Sequence, residues 1–207
     1  MRSLLLVLLI GWSYWTWAAT PADASDRFAA LLAEAELEFH PPRGFIDLPA
    51  GRTPILDYER ALRSTDGSLE IRLAVRPIAR LRIDYDDPHG AAPDPNHVFP
   101  LVFESLASRL AGGRHAPSNP YPPDQARARF NADWAAAAVF DTVEAFATEH
   151  RQGLLLAIHR NKVSDAYLVF LFDDYAAVKE RLQEAMETLV FAPLPEHGGV
   201  AEQPGAG

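Results

Sequence analysis

The 207-residue sequence contains no cysteine, which excludes disulfides, thiol catalysis and thiolate metal sites. It also lacks a basic excess, since 28 acidic residues outnumber 19 lysines and arginines. The net charge of −9 argues against nucleic acid as a partner, because phosphate binding needs a basic footprint. A domain of this length does not need disulfides, because its hydrophobic core can stabilise it.

The first 24 residues have the order of an export signal. Arg2 precedes a mostly apolar segment at residues 4–19, and Ala22-Asp23-Ala24 places small residues where a signal peptidase cleaves. We therefore predict a signal peptide at residues 1–24 and a periplasmic or secreted protein with no stable membrane span after cleavage. The alternative is retention as a membrane anchor, although 16 residues fall short of the roughly 20 that a membrane helix needs.

Cleavage at this point would leave 183 residues, a length that suits one domain. We predict a single globular domain over residues 25–193. Residues 194–207 are rich in glycine, proline and acidic residues, so we predict a disordered C-terminal tail.

Asp66-Gly67 predicts a tight hairpin turn between two segments of alternating polarity. Folding the chain there opposes apolar residues on one face and opposite charges on the other: Leu62–Ile71, Tyr58–Val75, Arg63–Glu70 and Asp57–Arg76. A slip by one residue would bury the charged row, so turn and charge pattern favour the same register.

Two later segments, residues 154–160 and 166–172, are apolar on both faces and are predicted strands. Such strands must be covered on both sides, which requires helices above and below the sheet. The sequence therefore predicts an α+β fold, an antiparallel β-sheet covered by helices on both faces. Further strands are predicted at residues 45–48, 81–86 and 135–143. Helices are predicted from a cap at Ser25-Asp26, at residues 96–111 and 124–131, and from a cap at Asp173 or Asp174.

The segment that follows the first predicted helix reads Phe39-His40-Pro41-Pro42-Arg43-Gly44-Phe45. This segment resembles the PsbP-like family, named for an extrinsic subunit of photosystem II. The element order over residues 36–192 is similar too: a hairpin, a long loop, a helix, three late strands and a closing helix that ends at Thr188-Leu189-Val190-Phe191. The resemblance implies an α/β/α sandwich and a non-enzymatic accessory role in docking on, or assembling, membrane-associated machinery.

Residues 84–97 concentrate metal-binding side chains. The candidate ligands are Asp84, Asp86, Asp87 and His89. Carboxylate oxygens suit calcium, and histidine with carboxylate suits zinc. The EF-hand pattern fails because the sixth residue from Asp84 is histidine rather than glycine, so a solvated acidic loop is the alternative. No other cofactor is predicted.

Three residues are candidates for binding a partner. Trp134 beside Asp133 could anchor a ligand or protein, or Trp134 could close an edge of the core. Tyr121 lies in a proline-rich segment that another protein could grip, or that could be a stiff connector.

Catalysis is not expected from the histidines near the last two strands. A triad of His159 and Asp165 would need a serine such as Ser164, and the Gly-x-Ser-x-Gly elbow does not occur. We therefore predict an exported non-enzymatic accessory or binding protein that contacts another envelope protein. The alternatives are a secreted hydrolase or metal-dependent enzyme using residues 84–97, and a small-ligand carrier with an apolar cavity under the sheet.

Overall fold

The computed structural model describes residues 21–80 and 95–194, which form two antiparallel sheets and four α-helices. The strands are β1 Leu37–Phe39, β2 Phe45–Leu48, β3 Arg60–Ser64, β4 Leu69–Pro77, β5 Ser118–Pro120, β6 Trp134–Asp141, β7 Gln152–Arg160, β8 Ser164–Phe172 and β9 Leu189–Phe191. The helices are α1 Pro21–Glu34, α2 Pro95–Leu110, α3 Pro123–Phe130 and α4 Tyr175–Ala185. A 3₁₀ turn at Ile78–Arg80 follows β4.

The main sheet has seven strands in the order β2-β3-β4-β8-β7-β6-β5. Every residue of β7 after Gln152 is buried, and so is every residue of β8 except Asp165. Alternate side chains enter two cores: Leu156 packs with residues of α1, α3 and α4, whereas Leu155 packs with residues of α2. The predicted α+β fold with helices on both faces is therefore confirmed.

The hairpin of β3 and β4 has the predicted register, with Leu62 opposite Ile71 and Arg63 opposite Glu70. The pairing ends earlier than predicted, and Tyr58 does not continue it. Tyr58 pairs with Gly51 instead.

The carboxylate of Glu59 accepts the hydrogen bond of the Val75 main-chain N–H at 3.0 Å. The predicted contact between Asp57 and Arg76 exists, but it uses the carbonyl oxygen of Asp57 rather than its carboxylate. The charged row of the hairpin thus continues beyond the strand pairing by side-chain contacts.

The closing helix is shorter than predicted. Asp174 caps α4, accepting from Ala176 N at 2.9 Å, but the helix ends at Ala185 and the prediction that it extends to Phe191 is wrong. Leu189–Phe191 is β9, which pairs with β1 in a separate two-stranded sheet. Leu189 and Phe191 are both fully buried, because alternation along an extended strand turns both toward the same core.

The first helix is already formed before the predicted cap, Ser25-Asp26, because α1 includes Pro21–Glu34. Four other predicted elements are confirmed: α2, α3, β2 and β6 lie at or within a few residues of their expected positions. The edge strand β5 was not expected because of its proline, which a sheet tolerates at an edge.

Several predictions fall outside the described residues. These are the predicted signal peptide up to residue 20, the predicted strand at 81–86, the acidic loop up to residue 94 and the predicted tail from residue 195. Among the residues that are described, no helix has the length and apolar character that crossing a membrane requires.

Candidate functional site

A groove of about 930 Å³ lies between α1 and the end of β4. The α1 wall is lined by Ala24, Arg27, Phe28, Ala30, Leu31 and Glu34. These positions share one side of the helix because residues three and four apart lie above one another. The opposite wall comes from residues 50–52 and 57–59, the last residues of β4, and Arg80.

The groove has an apolar floor and a charged rim. Phe28, Leu31 and Val75 are buried side chains of the core that reach its lining. Four arginines and three carboxylates also line it: Arg27, Arg52, Arg76, Arg80, Glu34, Asp57 and Glu59. The local charge is therefore slightly positive in a chain whose net charge is −9.

Arg76 and Glu59 form the part of the rim at the end of the sheet. Glu59 Oε1 accepts from Arg76 Nη1 at 2.8 Å while its Oε2 accepts from the main chain of β4. The same guanidinium donates to the carbonyl oxygens of Val75 and Asp57. Arg76 is thus well supplied with acceptors, and it holds residues 57–59 against β4.

Arg80 and Glu34 join the two walls of the groove. Arg80 Nε lies 2.8 Å and 3.0 Å from the two carboxylate oxygens of Glu34, and its Nη2 also donates to Oε2. Hydrogen bonding to Arg80 lowers the pKa of Glu34, and the same contact raises the pKa of Arg80. Because the pair is exposed, it fixes geometry more than it stabilises the fold.

Residues 51–58 form a closed loop beside the groove. The main chains of Gly51 and Tyr58 exchange two hydrogen bonds, of 3.2 Å and 3.0 Å. A Cβ atom at Gly51 would lie 2.2 Å from the Tyr58 hydroxyl oxygen, so a larger residue there would displace the Tyr58 ring. Inside the loop, Thr53 Oγ1 accepts from Leu56 N and donates to Leu56 O, both at 2.9 Å.

Arg52 lies on this closed loop and is exposed. Arg109 of α2 donates to the Pro54 carbonyl oxygen at 2.7 Å and ties the loop to the body of the protein. Within the described parts of the chain, Arg52 itself makes no hydrogen bond or ion pair. The loop therefore fixes the main chain from which this exposed guanidinium extends at the rim.

The predicted binding residues Trp134 and Asp133 lie elsewhere, at the start of β6. Trp134 is half-buried and packs edge-on against Phe99 and Phe103 of α2, with ring centroids 5.1 Å and 5.5 Å away. Asp133 is exposed, and its Oδ2 accepts from Asn161 N at 2.9 Å. The structure keeps these two residues together, and their binding roles stay predictions.

Tyr121 lies on the other face of the sheet from Trp134. Its ring is half-buried and meets Phe130 edge-on, with centroids 5.5 Å apart. Burial raises the pKa of Tyr121, and Arg129 partly offsets this effect. The three predicted binding residues therefore do not form one site, and none of them lines the groove.

The buried His159 pairs with the partly exposed Asp165, where β7 ends and β8 begins. His159 Nδ1 lies 2.7 Å from Asp165 Oδ1, and its Nε2 lies 3.2 Å from Asn161 Oδ1. The imidazole is 2% exposed and stacks on Phe99 at 4.7 Å. Both ring nitrogens are thus engaged inside the fold.

Ser164 does not complete a triad with this pair. Its hydroxyl donates to the Ala35 carbonyl oxygen at 2.9 Å. His150, the other histidine of this region, is buried beside Asp173, with 3.2 Å between its Nδ1 and the carboxylate. These contacts join neighbouring elements of the fold.

The predicted metal ligands Asp84, Asp86, Asp87 and His89 lie outside the described residues, so that site stays a prediction. Across residues 21–80 and 95–194, no group of three or more histidines and carboxylates is placed to hold a metal ion.

The groove was not predicted from the sequence. Arg76 was recognised as part of the charged row of the hairpin, but Arg27, Arg52 and Arg80 follow no periodic pattern. The available signal was the stripe of α1 positions that places Arg27 and Glu34 beside the buried Phe28 and Leu31. That signal shows a helix face and does not show what the face opposes.

The chain is similar in structure to cyanobacterial PsbP (CyanoP) from Synechocystis sp. PCC 6803. The two chains share 13% identity over 76% of this chain and 87% of that chain, with a TM-score of 0.44. This is a distant likeness of fold. No protein-family model and no curated protein matches the chain.

Proposed function

We propose that the chain is an exported binding protein, acting without catalysis, that holds a partner protein of the cell envelope in the groove beside α1. The groove carries this proposal. Its apolar floor and charged rim have the composition of a protein interface, in which an apolar centre is surrounded by polar residues.

The stiffness of the groove also supports binding. Arg80 and Glu34 tie the two walls together, and the closed loop of residues 51–58 fixes the rim. A site whose shape exists before binding loses less conformational entropy when a partner docks. The groove walls are therefore suited to receive a segment of another protein.

The proposed export rests on the apolar sequence at residues 4–19 and the small residues at 22–24. Cell fractionation and N-terminal sequencing test it in the organism that makes the protein. We expect an extracytoplasmic protein that begins at Ser25 and therefore keeps every residue of the α1 wall except Ala24. A full-length protein in the cytoplasm would contradict the proposal.

Photo-cross-linking tests the binding function. A photoreactive benzoylphenylalanine replaces Ala50, an exposed alanine of the groove lining, in cells that make the protein. The matched control places it at Ala33, which is exposed on α1 but does not line the groove. We expect a discrete adduct with an envelope protein from position 50 and not from position 33. Identical adducts at both positions, or none, would overturn the proposal.

A blocking variant then tests the identified partner in purified form. Ala30→Trp fills the groove, whereas Ala33→Trp adds the same side chain at an exposed α1 position that does not line the groove. We expect calorimetry to show that the first variant loses the partner and the second retains it. Equal affinities for the two variants would place the contact outside the groove.

A further inference from the structure

The groove also indicates which kind of segment it accepts. We infer that the partner presents an extended segment in which apolar and acidic residues alternate, and that Arg52 pairs with one of its carboxylates. This inference rests on the proposed function, since it names the chemistry of the partner at the same groove.

Arg52 differs from two other arginines of the rim in its contacts. The carboxylates of Glu59 and Glu34 already bind Arg76 and Arg80. In the part of the chain that is described, no such partner binds Arg52, and its side chain is exposed on the rim. A guanidinium offers five N–H donors in a planar fork that matches both oxygens of a carboxylate. A carboxylate from outside is therefore the group that Arg52 fits best.

The charges of the rim favour a partner segment with acidic side chains. Four arginines line the groove, and of the three carboxylates two, Glu34 and Glu59, are engaged by arginines. A basic segment would compete for those carboxylates and meet Arg52 with like charge. The rim alone attracts an acidic segment, because the net charge of the whole chain is −9.

Asp57 limits how acidic the segment can be. It is exposed, lines the groove and is the third carboxylate. An unbroken run of acidic residues would place like charge beside it, which costs free energy. Alternation avoids this cost: acidic side chains face the arginines while apolar ones face Phe28 and Leu31. An extended chain provides this arrangement because successive side chains point to opposite sides.

The loop that carries Arg52 makes the contact efficient. Its ends are joined by the main-chain pair of Gly51 and Tyr58, and Thr53 and Leu56 close its interior. The guanidinium starts from a fixed main chain, so less entropy is lost when it binds. Because both arms of the fork can donate to one carboxylate, the contact gains from geometry as well as from charge.

The test uses the full purified chain and two short fluorescent peptides. One alternates leucine with glutamate, and the other alternates leucine with lysine. Fluorescence anisotropy measures their affinities for the unchanged protein and for two charge-reversal variants, Arg52→Glu and Arg43→Glu. Arg43 is the matched control, since it is an exposed arginine that does not line the groove.

We expect the glutamate peptide to bind and the lysine peptide not to bind. Arg52→Glu should weaken the glutamate peptide by about tenfold or more, and Arg43→Glu should leave its affinity within about twofold. Arg52→Lys should give an intermediate loss, because an ammonium keeps the charge without the fork. Circular dichroism confirms that the variants remain folded.

Two results would overturn the inference: equal binding of both peptides, or equal losses for the two charge reversals. No binding of the glutamate peptide would also overturn it. In each case the Ala30→Trp experiment decides separately on the proposed function, since blocking of a natural partner would show that the groove binds a protein of other chemistry.

Discussion

Arg63 and Glu70 face each other across β3 and β4 and form an ion pair with 2.8 Å between Nη2 and Oε2. The Glu70 side chain is 4% exposed, and Arg72 Nε donates to its other oxygen at 2.8 Å. Burial raises the pKa of Glu70, but hydrogen bonds and charge from Arg63 and Arg72 outweigh it, so the pKa lies below its ordinary value. The Glu70 carboxylate is therefore ionised, and arginines bind both of its oxygens.

Glu70→Gln should lower the free energy of unfolding by about 1–3 kcal/mol, because it removes the charge that balances two arginines in a buried place. Urea unfolding followed by tryptophan fluorescence measures this loss. The control is Glu149→Gln, which removes the second carboxylate bound to Arg63. That side chain is 64% exposed, so the change should stay within about 0.5 kcal/mol. Equal losses for the two variants would contradict the prediction.

The pair of Arg63 and Glu70 could be predicted because every determinant is local. Asp66-Gly67 fixes the turn, and with a period of two the turn alone sets which residues oppose one another. The covering of β7 and β8 by helices followed equally from local composition. Leu189 and Phe191 were assigned wrongly because apolar residues at the end of a helical stripe also satisfy an alternating strand. Only the partner strand β1 decides between them.

The groove could not be predicted for a different physical reason. Glu34 and Arg80 are 46 positions apart and meet because α1 packs beside the end of β4. A long-range contact of that kind depends on how whole elements pack. A sequence pattern shows only which residues are close to one another along the chain. Arg52 carries no local signal at all, since the role inferred for it rests on the absence, among the described residues, of a carboxylate like those bound to Arg76 and Arg80.

Asp66 makes the stability of the hairpin depend on pH. Its Oδ1 accepts from the Ser64 hydroxyl at 2.7 Å, its Oδ2 accepts from Arg181 at 2.7 Å, and Ser68 also donates to it. These hydrogen bonds hold the pKa of Asp66 far below its ordinary value. Since the folded state lowers the pKa, the stabilisation is present above about pH 4 and is lost as pH falls toward the folded-state value.

Asp66→Asn should therefore lower the melting temperature at neutral pH, and the difference from the unchanged protein should shrink progressively below about pH 4. Asparagine keeps the turn, because Asn-Gly favours the same hairpin. Calorimetric scans from neutral to acid pH measure the difference. Glu180→Gln, which removes an equal charge from the exposed side of α4, is the control and should show a small difference. A gap for Asp66→Asn that stays constant with pH would refute the prediction.

Asp174 stabilises α4 through its cap. Its Oδ1 accepts from Ala176 N at 2.9 Å and from Ala177 N at 3.4 Å, which satisfies main-chain donors of the first turn. Asp174→Ala should reduce the free energy of unfolding by about 1 kcal/mol. Asp174→Asn should retain most of the stabilisation that the cap supplies, because asparagine also accepts the hydrogen bonds. Thermal unfolding followed by circular dichroism distinguishes the two. Equal losses would mean that the charge of Asp174, and not its hydrogen bond, stabilises the helix.

Trp134 provides a test that separates two binding hypotheses. Its indole packs on Phe99 and Phe103 yet remains half-exposed, so Trp134→Phe should keep the core contact and cost less than about 1.5 kcal/mol. Trp134→Ala should cost more, about 2–4 kcal/mol, because the two phenylalanines lose their covering ring. If the groove beside α1 is the binding site, Trp134→Phe leaves the affinity for the cross-linked partner unchanged in calorimetry. A loss of affinity in that folded variant would instead support the surface at Trp134 and Asp133. Phenylalanine keeps the packing of the ring and removes only the exposed part of the indole.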